Sequence, residues 1–87
     1  MIFPYMTFSD GTEVVHSGIE MVNNLQTVRV YFEKPVESGF FTAECLLPSM
    51  SWSKVRGFTG LEVAHMQDFI NRQADLFFEF ASQPEAH

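Results

Sequence analysis

Apolar and polar residues alternate with a period of two through much of the first half of the chain, and with a helical period through its last third. Residues 2–8 form a strand-type run that ends at Ser9-Asp10-Gly11-Thr12, where Asp10-Gly11 suits a two-residue hairpin turn. Residues 13–22 give a second strand, and Asn23-Asn24, both tolerant of positive φ, give a second two-residue turn. Residues 25–33 carry Thr27, Val28, Val30, Tyr31 and Phe32, all good strand formers. A polar loop over 34–39 with Pro35 and Gly39 leads to a fourth strand over 40–47, which Pro48 stops. Pro4 removes a ladder donor from the first strand and predicts that it lies at a sheet edge.

The two turns fix registers that can be compared. Pairing through Asp10-Gly11 puts Ile2, Met6 and Phe8 on the same face as Val15 and Ile19. Pairing through Asn23-Asn24 adds Val28, Val30 and Phe32 to that face, and Phe41, Ala43, Cys45 and Leu47 extend it. After a connection over 48–58, with room for one helical turn, Thr59 and Glu62 have the spacing of a capping box, and Phe58 and Val63 that of a hydrophobic staple. Residues 60–82 then read as one helix. Positions within about 80° of Met66 are apolar apart from Glu62 and Gln73, and the far side carries His65, Gln67, Asp68, Asn71, Arg72, Asp75 and Glu79. Asp68 and Arg72 are spaced to pair. A break near Asp75, with 76–80 as a fifth strand, is the competing reading; the stripe continues in register and favours helix. Pro84 ends the helix and leaves a tail over 83–87. The prediction is one α+β domain over residues 1–87: a four-stranded antiparallel meander with one long C-terminal helix on its apolar face, ββββα.

A helix of about 30 Å is longer than four strands are wide, so a helix lying across the sheet would overhang it. Leu76, Phe77, Phe78 and Phe80 fall at that end, and a second copy of the chain would cover them, which predicts a homodimer through these residues; the alternative is a sheet that curls, with the 48–57 connection folded over the rings.

Composition narrows the function classes. The 87 residues are 46% hydrophobic, enough for a core, and 5 Lys and Arg against 11 Asp and Glu give a net charge of −6. Such a balance disfavours direct nucleic-acid binding and suits a basic protein surface as partner. One cysteine excludes an internal disulfide and a Cys-rich metal framework. No apolar run is long enough for a membrane span, and the first residues have no basic flank of a signal peptide, so a cytoplasmic protein is expected.

Candidate chemistry is sparse. The predicted registers put Tyr5, His16 and Tyr31 side by side on the sheet face away from the helix, flanked by Phe3 and Arg29. Such a row can stack on a planar ligand or a partner, or simply stabilise a solvated face. Trp52, Lys54 and Arg56 make the 48–58 connection the most ligand-capable loop. Glu62 and His65 match one half of a dimetal pattern, but Glu62 already has a capping task. Cys45 falls on the apolar face and reads as a small buried hydrophobe. No nucleophile–base pair, dinucleotide fingerprint or metal spacing is present, so no enzyme activity, cofactor or metal is expected.

Glu37-Ser38-Gly39-Phe40, then Leu47-Pro48, then Gly57-Phe58-Thr59-Gly60-Leu61-Glu62-Val63-Ala64 together resemble the sheet-to-helix stretch of HicB-type antitoxins. The resemblance covers residues 37–70 and implies an antitoxin-type inhibitor. It departs in a longer connection after Pro48, an extra hairpin before it, and no DNA-binding segment after the helix. The leading expectation is a non-enzymatic interaction or regulatory module acting as a homodimer. The alternative is a small-molecule sensor with its ligand at the sheet–helix junction or the aromatic sheet face.

Overall fold

A computed structural model describes residues 2–82; Pro84 and the expected tail over 83–87 lie outside the described residues. The chain is α+β, with six strands among those residues: β1 (Ile2–Thr7), β2 (Glu13–Ser17), β3 (Glu20–Val22), β4 (Leu25–Val36), β5 (Gly39–Leu47) and β6 (Ser51–Arg56). One helix follows, α1 (Gly60–Ser82). The sheet is antiparallel in the order β1-β2-β4-β5-β6, and β3 pairs with β4 beyond the end of β2. β1 is an edge strand, as Pro4 implies.

The right-hand part of the sheet follows the period-two reading. Val28, Val30 and Phe32 of β4 and Ala43, Cys45 and Leu47 of β5 are buried beneath α1. The Asn23-Asn24 turn forms with φ of 50° and 67°, and Val22 faces Leu25 across it. The expected loop over 34–39 is mostly strand: β4 runs to Val36 and only Glu37 and Ser38 turn before Gly39.

On the left, three single-residue departures overturn the predicted faces. Glu20 faces Thr27 and His16 faces Val30, so three residues of one strand line stand opposite two of β4, around Gly18. The extra residue inverts the parity of β2, and Val14 and His16, not Val15, turn toward the helix. The first hairpin has a three-residue loop, with Phe8 N–H bonded to the Thr12 carbonyl at 2.8 Å, because the Asp10 carboxylate accepts the Thr12 N–H at 2.9 Å. Along β1, Pro4 faces Val15 and Met6 faces Val14, which leaves Tyr5 as a bulge. Phe8 and Ile19 therefore pack on the core as expected, whereas Val15 and Ile2 line the opposite side and Met6 is exposed.

β6 replaces the expected irregular connection. It pairs with β5, places Trp52 opposite Cys45, and brings the indole against Phe32 at 5.8 Å. Gly57, at φ 87°, makes the corner into the helix, where a β-carbon would meet the Phe41 ring at 2.1 Å. The capping box is present: Thr59 Oγ1 accepts the Glu62 N–H at 3.1 Å and Glu62 Oε1 accepts the Thr59 N–H at 2.8 Å.

The helix lies along the strands, not across them. Its start is at Thr12 and Phe58, and its last turn brings the Ala81 carbonyl to Gly18. At about 3.3 Å per residue the twelve-residue β4 is as long as the helix, so the overhang does not arise. Phe77 is fully buried, and Phe78 and Phe80 are half-buried; of the four residues expected to pair with a second copy, only Leu76 is exposed. Two side-chain bonds fasten the flanks of the sheet to the helix. Trp52 Nε1 donates to Gln67 Oε1 at 3.0 Å, and the Tyr5 hydroxyl donates to Gln73 Oε1. The two glutamines are about 120° apart around the helix, so β1 and β6 both curl toward it.

Candidate functional site

The predicted aromatic row on the open face does not form, because β1 and β2 present the other side. His16 is fully buried between sheet and helix, with Nδ1 2.8 Å from the Ser17 carbonyl and its ring against Phe3, Tyr5 and Phe77. A carbonyl can only accept, so Nδ1 carries the proton in that bond. Tyr5 stacks on Phe77 with centroids 4.3 Å apart, and burial pushes its phenol upward. Trp52 also packs on the helix side. All three pack between the sheet and the helix and not on the open face.

Tyr31, Arg29 and Lys54 come together on the uncovered face, around a residue that sequence reasoning missed. Glu44 is 7% exposed, although it sits on the side of the sheet that no helix covers. Tyr31 is its cross-strand partner on β4. Arg29 Nη1 donates to Glu44 Oε2 at 3.0 Å, and Arg29 Nε donates to Glu20 Oε1 at 3.0 Å. Burial opposes the charge of Arg29, but Glu20 and Glu44 outweigh it and hold the guanidinium above its usual range. Burial, and then the Glu44 charge, raise the Tyr31 phenol, so it is protonated at neutral pH.

The second oxygen of Glu44 is less well served. Lys54 Nζ stands 3.9 Å from Oε1, beyond hydrogen-bond reach, on a side chain that is 78% exposed. A bulge puts Lys54 there. Ser53 faces Glu44 and Arg56 faces Thr42, so Lys54 and Val55 share the place opposite Ala43, and Lys54 takes φ 54°. Thr42 Oγ1 ties the bulge by donating to the Lys54 carbonyl at 3.0 Å. Arg56 is exposed on the same strand.

Glu44 opens onto a cavity of about 410 Å³ between the curled strands. Ile2, Val15 and the Tyr31 ring give it apolar walls, and Glu33, Thr42, Glu44 and Lys54 supply the polar ones. Its size is in the range that takes a small organic molecule.

Other chemistry is weak. Burial pushes the Cys45 thiol up to about 11, which leaves it protonated and inert near neutral pH. Among the described residues no three His, Cys, Asp or Glu side chains are grouped to hold a metal ion, so Glu62 and His65 find no partners for one. No described helix is long and apolar enough to cross a membrane.

No family model, curated protein or solved structure matches this chain. The stretch that resembles HicB-type antitoxins encloses a sixth strand here, between Leu47-Pro48 and the helix start.

Proposed function

We propose that this protein is a non-enzymatic binding module that takes a small molecule on the uncovered face of its sheet. The observation that carries the reading is Glu44: a carboxylate nine-tenths buried, bonded at one oxygen by Arg29 and with the other short of hydrogen-bond reach of Lys54, in the wall of a mainly apolar cavity. A solvated sheet face has no need of such a group, since burying a carboxylate costs free energy that incomplete pairing does not return. The test is a fragment screen read by amide shifts in NMR. Hits are expected to perturb Val15, Tyr31, Thr42 and Glu44 together; hits confined to the helix side, or none at all, would reject the reading.

A second reading, self-association, draws on the β3–β4 arm, where Met21 and Leu25 are each 63% exposed. Light scattering on the wild type and on Leu25→Glu decides it: a dimer that the substitution splits supports it, and a monomeric wild type removes it.

A further inference from the structure

Resting on that reading of the cavity, we infer that its ligand is a small amphipathic amine, whose ammonium takes the place of Lys54 on Glu44 and whose apolar body lies against Ile2, Val15 and Tyr31. Three features of the site converge on this class.

The first is the half-served carboxylate. Oε2 of Glu44 is fixed by the 3.0 Å bond from Arg29, while Oε1 has among the described residues only an ammonium 3.9 Å away. A donor that reaches ordinary hydrogen-bond distance would complete the group, and a charged donor does so with the stronger bond. An anion there would have Lys54 to pair with but would meet Glu44 and Glu33 together, and a neutral ligand would leave Oε1 without a charged donor at hydrogen-bond distance.

The second is the cavity's division. Ile2 and Val15 contribute no polar side-chain atoms, and the Tyr31 ring lies beside the carboxylate, a setting in which a cation gains from the ring face while an attached hydrocarbon gains from desolvation. A metal ion or ammonia would use only half of this site. The third is the bulge at Lys54. Regular alternation after Ser53 would send residue 54 to the helix side, yet the bulge delivers its ammonium to Glu44. Lys54 is tethered, exposed along most of its length and poorly bonded, which makes it a resident cation that a better one can displace. The net charge of −6 favours the approach of cations over long range.

The experiment compares 2-phenylethylamine with its neutral counterpart 2-phenylethanol by amide-shift titration on the wild type, Lys54→Gln and Glu44→Gln. The amine should bind at least tenfold more tightly than the alcohol. Lys54→Gln, which removes the resident ammonium and keeps a side chain of similar reach in the cavity wall, should tighten the amine severalfold relative to the alcohol; Glu44→Gln should abolish the preference. Equal binding of amine and alcohol would overturn the inference while leaving the cavity reading intact, and so would weaker amine binding in Lys54→Gln. Failure of both probes to move any open-face resonance would reject the cavity itself as a binding site. Should Glu44→Gln not fold, the Lys54→Gln result still decides.

Discussion

Along β4 two environments alternate residue by residue. Val28, Val30 and Phe32 point into a closed aromatic core, with Phe77, Phe69, Trp52 and Phe8 around them. Arg29, Tyr31 and Glu33 point the other way, into a charged network with no covering layer. The first face is held by shape, through rings that fill one another's gaps. The second is held by a buried carboxylate and the cations around it, and the energy of that network depends on every member being present. The buried carboxylate and the cavity beside it put the candidate site on this face and not beneath the helix.

The largest effect should come from the shape-held side, at the helix end. Phe77→Ala empties a fully buried position between Tyr5, His16 and Phe69 and should cost about 3–5 kcal/mol in urea denaturation. Leu76→Ala, one residue away and 40% exposed, should cost less than about 1 kcal/mol. Similar costs at the two positions would mean that the helix end is buried against something besides its own sheet, as a dimer through residues 76–80 would require.

On the network side, Arg29→Met leaves Glu44 buried without its main partner. Because Arg29 is about one-third exposed, the loss should be about 2 kcal/mol, below that of a fully enclosed pair. Glu44→Gln placed on top of it should restore part of that stability, since the stranded charge is then gone. Simple addition of the two single effects would show that the pair is not coupled.

A closer contrast compares the two tyrosines. Tyr5→Phe removes the bond that ties β1 to Gln73 and should cost about 1 kcal/mol, whereas Tyr31→Phe should leave thermal stability nearly unchanged. If Tyr31→Phe costs as much, its hydroxyl belongs to the fold and not to a site.

How much of this was readable from residues follows the same division. The helix over 60–82, its capping box, and the inward faces of β4 and β5 are written in unbroken periodicities, and those survive. The faces of β1 and β2 depend on parity, and one extra residue at Gly18 and another at Tyr5 each invert it. Gly18 within a strand pattern was the available signal, since a glycine there often marks a bulge. β6 has no alternation to read: Ser51, Ser53, Lys54, Val55 and Arg56 are all exposed, so only Trp52 betrays a buried side. Glu44 was missed because a glutamate between Ala43 and Cys45 reads as the solvent side of a strand. Its burial comes from the curl of the sheet and from Arg29 and Tyr31 on the neighbouring strand, contacts that exist only once β4 and β5 are paired.

The smallest predicted effect concerns the loop that sets the start of this parity. The Thr12 N–H, and then Lys34, whose ammonium is 3.5 Å away, hold the Asp10 carboxyl below its usual range. Its folded value is therefore lower than its unfolded one, so the loop is stabilised above the unfolded value, near 3.8, and that stabilisation is lost as pH falls through the folded value. Asp10 is about half exposed, and solvent screening limits the contribution to roughly 0.5 kcal/mol. Asp10→Asn retains an oxygen that can accept the Thr12 N–H but has no charge to titrate. It should lower stability slightly at pH 7 and flatten its dependence as pH falls from neutral through the carboxylate range, measured by urea unfolding. A variant with the wild-type pH slope would show that the three-residue turn is held by the backbone bonds at Phe8, and that the Asp10 charge does not help to choose the register on which the two faces depend.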